Sequence, residues 1–202
     1  MYTLYYLPDA CSLATQVVLR ELQQPVTLIN KQQVDNFSEI NPAGVVPVLL
    51  DGEQVLLEGA AVMLHILNKH PNALMPSTAD GQQQALQDIM FANASMHPAY
   101  GRLFFLAGTD VDASLRQGLM EKAAEEVSRL WAVVEQRLQQ QRFLGGEQLS
   151  ATDIMLAVYS RWSAAFPVDI VIGPNTQAML QHVIERPTFE QALRAEQAQQ
   201  AA

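Results

Sequence analysis

The chain has 202 residues, of which 49% are apolar and only 16% charged, enough for a sizeable core and too apolar for a disordered chain. Acids outnumber bases 21 to 12, a formal charge of −9, and no basic cluster stands against that balance, so nucleic acid and anionic membrane are poor partners and neither is expected. One cysteine, Cys11, excludes an internal disulfide, a Cys-x-x-Cys redox pair and a cysteine zinc site. A lone cysteine fits a reducing compartment. No apolar run reaches the ~20 residues that span a bilayer, and the start lacks the pattern of a signal peptide, so a cytoplasmic protein is expected.

Tyr2–Leu7 is aromatic and β-prone and predicts a first strand, broken by Pro8-Asp9-Ala10. Residues from Ser12 to Leu22 carry apolar side chains near helical spacing with no breaker, which predicts a helix stopped before Pro25. Val26–Asn30, rich in β-branched residues, predicts the second strand. The polar stretch from Lys31 to Ile40 predicts irregular backbone with a short helix at Phe37–Ile40.

Next come two short apolar runs, Val45–Leu50 and Gln54–Leu57, on either side of Asp51-Gly52. This pattern predicts a hairpin with a type I′ turn centred on Asp51-Gly52. Pro47 lies inside the first run, and proline cannot donate to a ladder, so the strand is either an edge there or carries something unusual. One possibility is a cis Val46-Pro47 bond that turns the backbone groups of Val46 toward an extended ligand; the other is a plain hairpin. A helix is predicted from Glu58 to Lys69, and its free N–H groups are a natural place to hold a carboxylate. The order β-α-β-(short α)-β-β-α predicts a parallel pair joined by a right-handed crossover, extended by antiparallel strands into a mixed four-stranded sheet.

Past Pro76-Ser77-Thr78 the strand signals stop. Helices are predicted at 79–107, 115–141, 152–166, 175–185 and 188–199, punctuated by glycine and proline. Two domains follow, a sheet domain at 1–76 and an all-α domain at 81–202, with a linker near 76–80.

Few residues carry chemistry. Cys11 sits where a strand and a turn give way to a helix, and a helix start lowers a thiol pKa from its free value of ~8.5. The alternative is a small buried hydrophobe. Ser12 is either a hydroxyl donor to a bound sulfur or a helix cap. His97-Pro98 falls inside a helical pattern that Pro98 bends, leaving His97 either facing a cleft or packed beside Met96 and Tyr100. Ser150-Ala151-Thr152-Asp153 is a capping-box variant, which assigns Asp153 to folding. His65, His70 and His182 show no metal-ligand spacing, and no metal is expected.

Taken together, Tyr5-Tyr6-Leu7-Pro8-Asp9-Ala10-Cys11-Ser12-Leu13, Asn41-Pro42-Ala43-Gly44-Val45-Val46-Pro47-Val48-Leu49, Leu57-Glu58-Gly59, His97 and the box at Ser150–Asp153 occur in an order that resembles the cytosolic glutathione S-transferases, the bacterial beta class most closely. The resemblance implies a thioredoxin-like N-terminal domain (βαβαββα) followed by an all-helical C-terminal domain. It also implies a cytoplasmic homodimer in detoxification that conjugates glutathione to electrophiles or reduces disulfides and peroxides; a non-catalytic binding protein on the same scaffold is the alternative. By the same resemblance Val46, before a cis Pro47, pairs with the cysteinyl backbone of glutathione, and Glu58 and Gly59 hold its γ-glutamyl end. Cys11, Ser12 and His97 belong near the sulfur. Tyr100, Phe104, Trp162 and Phe166 are candidates to line the site of a small apolar electrophile. Three departures stand out. The segment before Asn41 is short, leaving Lys31 out of register with the lysine of many beta-class members. Pro98 replaces a common lysine, and Gly59 replaces a common serine.

Overall fold

In the computed structural model, which describes residues 1–200, the opening residues Tyr2–Tyr6 form β1 with alternating burial, so that Tyr2, Leu4 and Tyr6 face the core. Val26–Asn30 forms β2 and pairs with β1 in parallel, Tyr2 opposite Val26 and Tyr6 opposite Asn30. Val48–Asp51 forms β3, antiparallel to β1, and Gln54–Leu56 forms β4, antiparallel to β3. The sheet order is β2-β1-β3-β4, the mixed four-stranded sheet expected from the element order.

Helix α1 (Ser12–Glu21) crosses from β1 to β2, and the short α2 (Phe37–Ile40) follows a 3-10 turn at Lys31–Gln33. Helix α3 (Gly59–Lys69) follows β4. Leu13, Val17 and Val18 of α1 and Val62, Met63 and Ile66 of α3 are buried where the two helices pack on each other and on β1 and β3.

Two details of the hairpin differ from the sequence expectation. The strand begins at Val48 rather than Val45, because Pro47 follows a cis peptide bond and cannot donate to the ladder. β3 starts after the proline and lies inside the sheet, between β1 and β4. The turn is also shifted by one residue: Asp51 still pairs with Gln54, and the two-residue loop is Gly52-Glu53. Only Gly52 has positive φ (62°), the pattern of a type II′ turn with glycine in first place rather than type I′.

The remaining helices are α4 (Ala79–Phe91), α5 (His97–Gly108), α6 (Ala113–Leu138), α7 (Ala151–Ser160), α8 (Pro174–Ile184) and α9 (Pro187–Gln200). The single helix expected over 79–107 is interrupted by a π-turn at Ala92–Met96, where the N–H of His97 reaches back five residues to the carbonyl of Ala92. Pro98 explains it. A proline removes one i→i−4 bond and crowds the carbonyl four residues earlier, and a wider turn relieves both. The helix expected over 152–166 likewise ends as a 3-10 turn at Arg161–Ala165.

The chain clusters into two units, one of residues 1–75 with the segment from Val183 onward, the other of residues 76–182. In the first, α9 lies along α1. In the second, α7 starts on a complete capping box: Ser150 Oγ accepts from the Asp153 N–H at 3.3 Å and Asp153 Oδ2 accepts from the Ser150 N–H at 2.8 Å. Asp153 is fully buried and also accepts from the Leu144 N–H, so it locks the loop ahead of the helix as well. Among the described residues no helix is long and apolar enough to cross a membrane.

Candidate active site

In the sheet-bearing unit, Pro8–Cys11 forms the turn between β1 and α1, with the Ala10 N–H bonded to the Leu7 carbonyl at 3.2 Å. Cys11 occupies the cap position of α1 with helical φ and ψ, and no side chain caps the helix. Its Sγ donates to the Val46 carbonyl at 3.5 Å. Burial pushes the thiol up to about 11 and outweighs the backbone N–H bonds of Cys11 and Ser12, which pull the other way. Of the two readings that the sequence leaves open, this favours a neutral S–H donor over a thiol activated by its helix start. Ser12 is fully buried, and its hydroxyl pairs with the backbone of Leu7, 3.4 Å from both its N and its O, tying the end of β1 to the first turn of α1.

The loop before β3 is built by buried Asn41. Its Oδ1 accepts from the Ala43 N–H at 3.1 Å and its Nδ2 donates to the Val45 carbonyl at 2.8 Å, while Gly44 takes positive φ (67°). Val46-Pro47 is cis, one of the two possibilities the sequence leaves open. Lys31 lies over the Phe37 ring and donates to the Gly44 carbonyl, so its ammonium reaches the loop that carries Val46.

Glu58 ends the hairpin. It is exposed and stands at φ 67° and ψ 116°, a region L-residues seldom occupy, and its side chain does not cap α3. Gly59 is the first residue of α3, and the Glu58 carbonyl accepts from the Val62 N–H at 2.9 Å. An uncapped helix start beside a strained carboxylate-bearing residue suits an α-amino acid head group: N–H groups and positive dipole for its carboxylate, Glu58 for its ammonium.

In the helical unit, the His97 ring meets Tyr159 and Trp162 edge-on, each at 5.3 Å between centroids. Burial holds its pKa below the usual histidine range, so the imidazole is neutral near pH 7. Trp162 stacks on Tyr159 at 4.6 Å, and Phe104 meets Trp162 at 5.7 Å and Phe166 at 4.8 Å. Four of the expected aromatic residues thus form one cluster, but with unequal access. Phe104 is 46% exposed, Trp162 and Phe166 are nearly covered, and Tyr100 is fully buried. The Tyr100 hydroxyl sits 2.7 Å from Ser163 Oγ and accepts from Trp131 Nε1 at 2.9 Å, so Tyr100 supports Trp162 from within. Tyr159 was not singled out from the sequence; its signal is the spacing of three from Trp162, which puts both rings on one helical face.

Both halves of the chain match descriptions from one family: the glutathione S-transferase N-terminal domain over residues 11–74 and its C-terminal domain over residues 98–187. The chain belongs to the glutathione S-transferase family. A Xanthomonas campestris glutathione S-transferase is 29% identical over 96% of this chain and 98% of its own length. A beta-class glutathione S-transferase of Sphingomonas chungbukensis superposes with a TM-score of 0.82 at 28% identity, over 96% of this chain and 98% of that one. A sphingomonad glutathione S-transferase complexed with glutathione gives the same score and identity over the same shares. A glutathione transferase fold accounts for the two-part architecture, and glutathione is the co-substrate to which the family is built.

Proposed function

We propose that this chain conjugates glutathione to small apolar electrophiles, the sheet-bearing unit holding the tripeptide and Cys11 assisting its thiolate. The γ-glutamyl head docks at Glu58 and the start of α3, the cysteinyl backbone pairs with Val46 beside Pro47, and the sulfur lies by the turn at Cys11. The exposed ring of Phe104, backed by Trp162 and Phe166, offers apolar surface to the electrophile. His97, neutral and packed on Tyr159 and Trp162, shapes that cluster. The active form is a homodimer, to which the exposed Leu86 and Met90 of α4 supply apolar surface.

The observation that carries the reading is the Cys11 thiol set 3.5 Å from the Val46 carbonyl, and burial, which pushes its pKa up, favours the neutral form. A neutral S–H donor stabilises a neighbouring thiolate, whereas a second thiolate would repel it. That favours conjugation over thiol transfer, in which Cys11 itself has to ionise and cycle through a mixed disulfide.

Assaying one Cys11→Ser preparation in two reactions tests this. Conjugation of an aromatic electrophile is expected to stay within about tenfold of the parent, because a hydroxyl also donates to a thiolate. Loss of conjugation together with loss of disulfide reductase activity would mean that Cys11 is the nucleophile. Sedimentation velocity checks the dimer.

A further inference from the structure

We infer that Glu196, near the end of α9, is a positioning residue for the turn that carries Cys11. The inference rests on the role given to Cys11 above. Glu196 is 3% exposed and Gln16 is fully buried. One carboxylate oxygen of Glu196 accepts from Gln16 Nε2 at 2.6 Å, and the other accepts from the Asp9 N–H at 3.0 Å. These contacts bracket Cys11, one two residues before it in the turn and the other five residues after it on α1.

Asp9 stands at φ 57°, where a residue with a side chain is seldom found and persists only if its surroundings hold it. The hydrogen bond to a buried carboxylate does that, and charge-assisted bonds of this kind are shorter and stronger than neutral ones. The opposite end of α1 is held by the same segment of chain. Arg186 donates from Nε and Nη2 to the two oxygens of Glu21 at 2.8 and 2.7 Å, and Thr188 donates to Glu21 as well. The C-terminal segment therefore fixes α1 at both ends, and Glu196 takes the end that carries the thiol. The 3.5 Å approach of Cys11 Sγ to the Val46 carbonyl depends on that end staying in place.

The test reads Cys11 directly, in the full chain and without glutathione. Labelling by iodoacetamide near neutral pH, well below the melting temperature, is compared for the parent, Glu196→Ala and Glu196→Gln. Releasing the turn frees the thiol from burial, and each unit of pKa lost raises the thiolate fraction tenfold, so Glu196→Ala is expected to label at least about ten times faster. Glu196→Gln keeps an acceptor for the Asp9 N–H and is expected to stay within about threefold of the parent. A purely structural Glu196 would lower the melting temperature and leave labelling unchanged, and that result overturns the inference. Should Glu196→Ala not fold, Gln16→Met removes only the amide that orients Glu196; about threefold faster labelling supports the inference and an unchanged rate overturns it. In turnover, Glu196→Ala is expected to lower kcat about tenfold with KM for glutathione within about twofold, because only the sulfur end is disturbed. If the parent shows no turnover, the transferase reading fails, while the labelling rates still decide the role of Glu196.

Discussion

Helices α1, α2 and α3 of the sheet-bearing unit begin without a side-chain cap, whereas α4, α6 and α7 of the helical unit begin on Thr78, Asp112 and the Ser150–Asp153 box. A missing cap costs about 0.5–2 kcal/mol, so the uncapped starts are not a neutral difference. In the helical unit these side chains satisfy the first N–H groups of α4, α6 and α7, which serve as a scaffold. The sheet-bearing unit leaves α3 without a side-chain cap where the head group of an acidic tripeptide thiol is proposed to dock, and it holds a strained residue, Glu58, there. Stability and binding are thereby separated along the chain.

The largest expected effect lies on the capped side. Asp153→Ala strands the donors of Leu144 and Ser150 in a buried site and is expected to destabilise the protein by about 3 kcal/mol in urea denaturation. Its folded fraction should keep kcat/KM, and a catalytic defect at unchanged stability would break the contrast. On the uncapped side, Glu58→Gly should show the opposite pairing. Relief of the positive φ is expected to raise stability by about 1 kcal/mol, while loss of the carboxylate raises KM for glutathione about tenfold. A variant that is both less stable and equally tight would assign Glu58 to folding.

Two pH profiles sharpen the contrast further. The Cys11 thiol lies above its unfolded value, so its contribution to stability is present below pH 9.0 and is lost as pH rises toward about 11. Denaturation midpoints across that window should fall less in Cys11→Ala than in the parent. The smallest effect belongs to His97, whose pKa is depressed by burial. The imidazole contributes stability above pH 6.5, which is lost as pH falls below that value, and His97→Phe should flatten the acid limb of the profile by under about 1 kcal/mol.

Much of this was legible in the sequence. Proline and glycine punctuation located β2, α2 and the start of α3, and Ser150 with Asp153 announced the cap of α7, because each of these signals acts within a few residues. Pro47 marked an anomaly in the hairpin, although the register of the Gly52-Glu53 turn differs by one residue from the expected one. What stayed hidden depends on distant parts of the chain. Whether Cys11 is activated or suppressed is set by desolvation and by a carbonyl 35 residues away. The Glu196–Gln16 contact spans 180 positions. The exposure that separates Phe104 from Tyr100 likewise comes from packing, since both are aromatic residues on the same helix at helical spacing.

The central claim is that the sheet-bearing unit binds glutathione as a thiolate with the help of a donor at position 11. Ultraviolet absorbance of the thiolate, followed against pH in Cys11→Ser with bound glutathione and corrected for the free tripeptide, measures this without a protein thiol, since Cys11 is the one cysteine of the chain. The expected midpoint lies about two units below the ~8.5 of an ordinary thiol. A midpoint equal to that of free glutathione would contradict it.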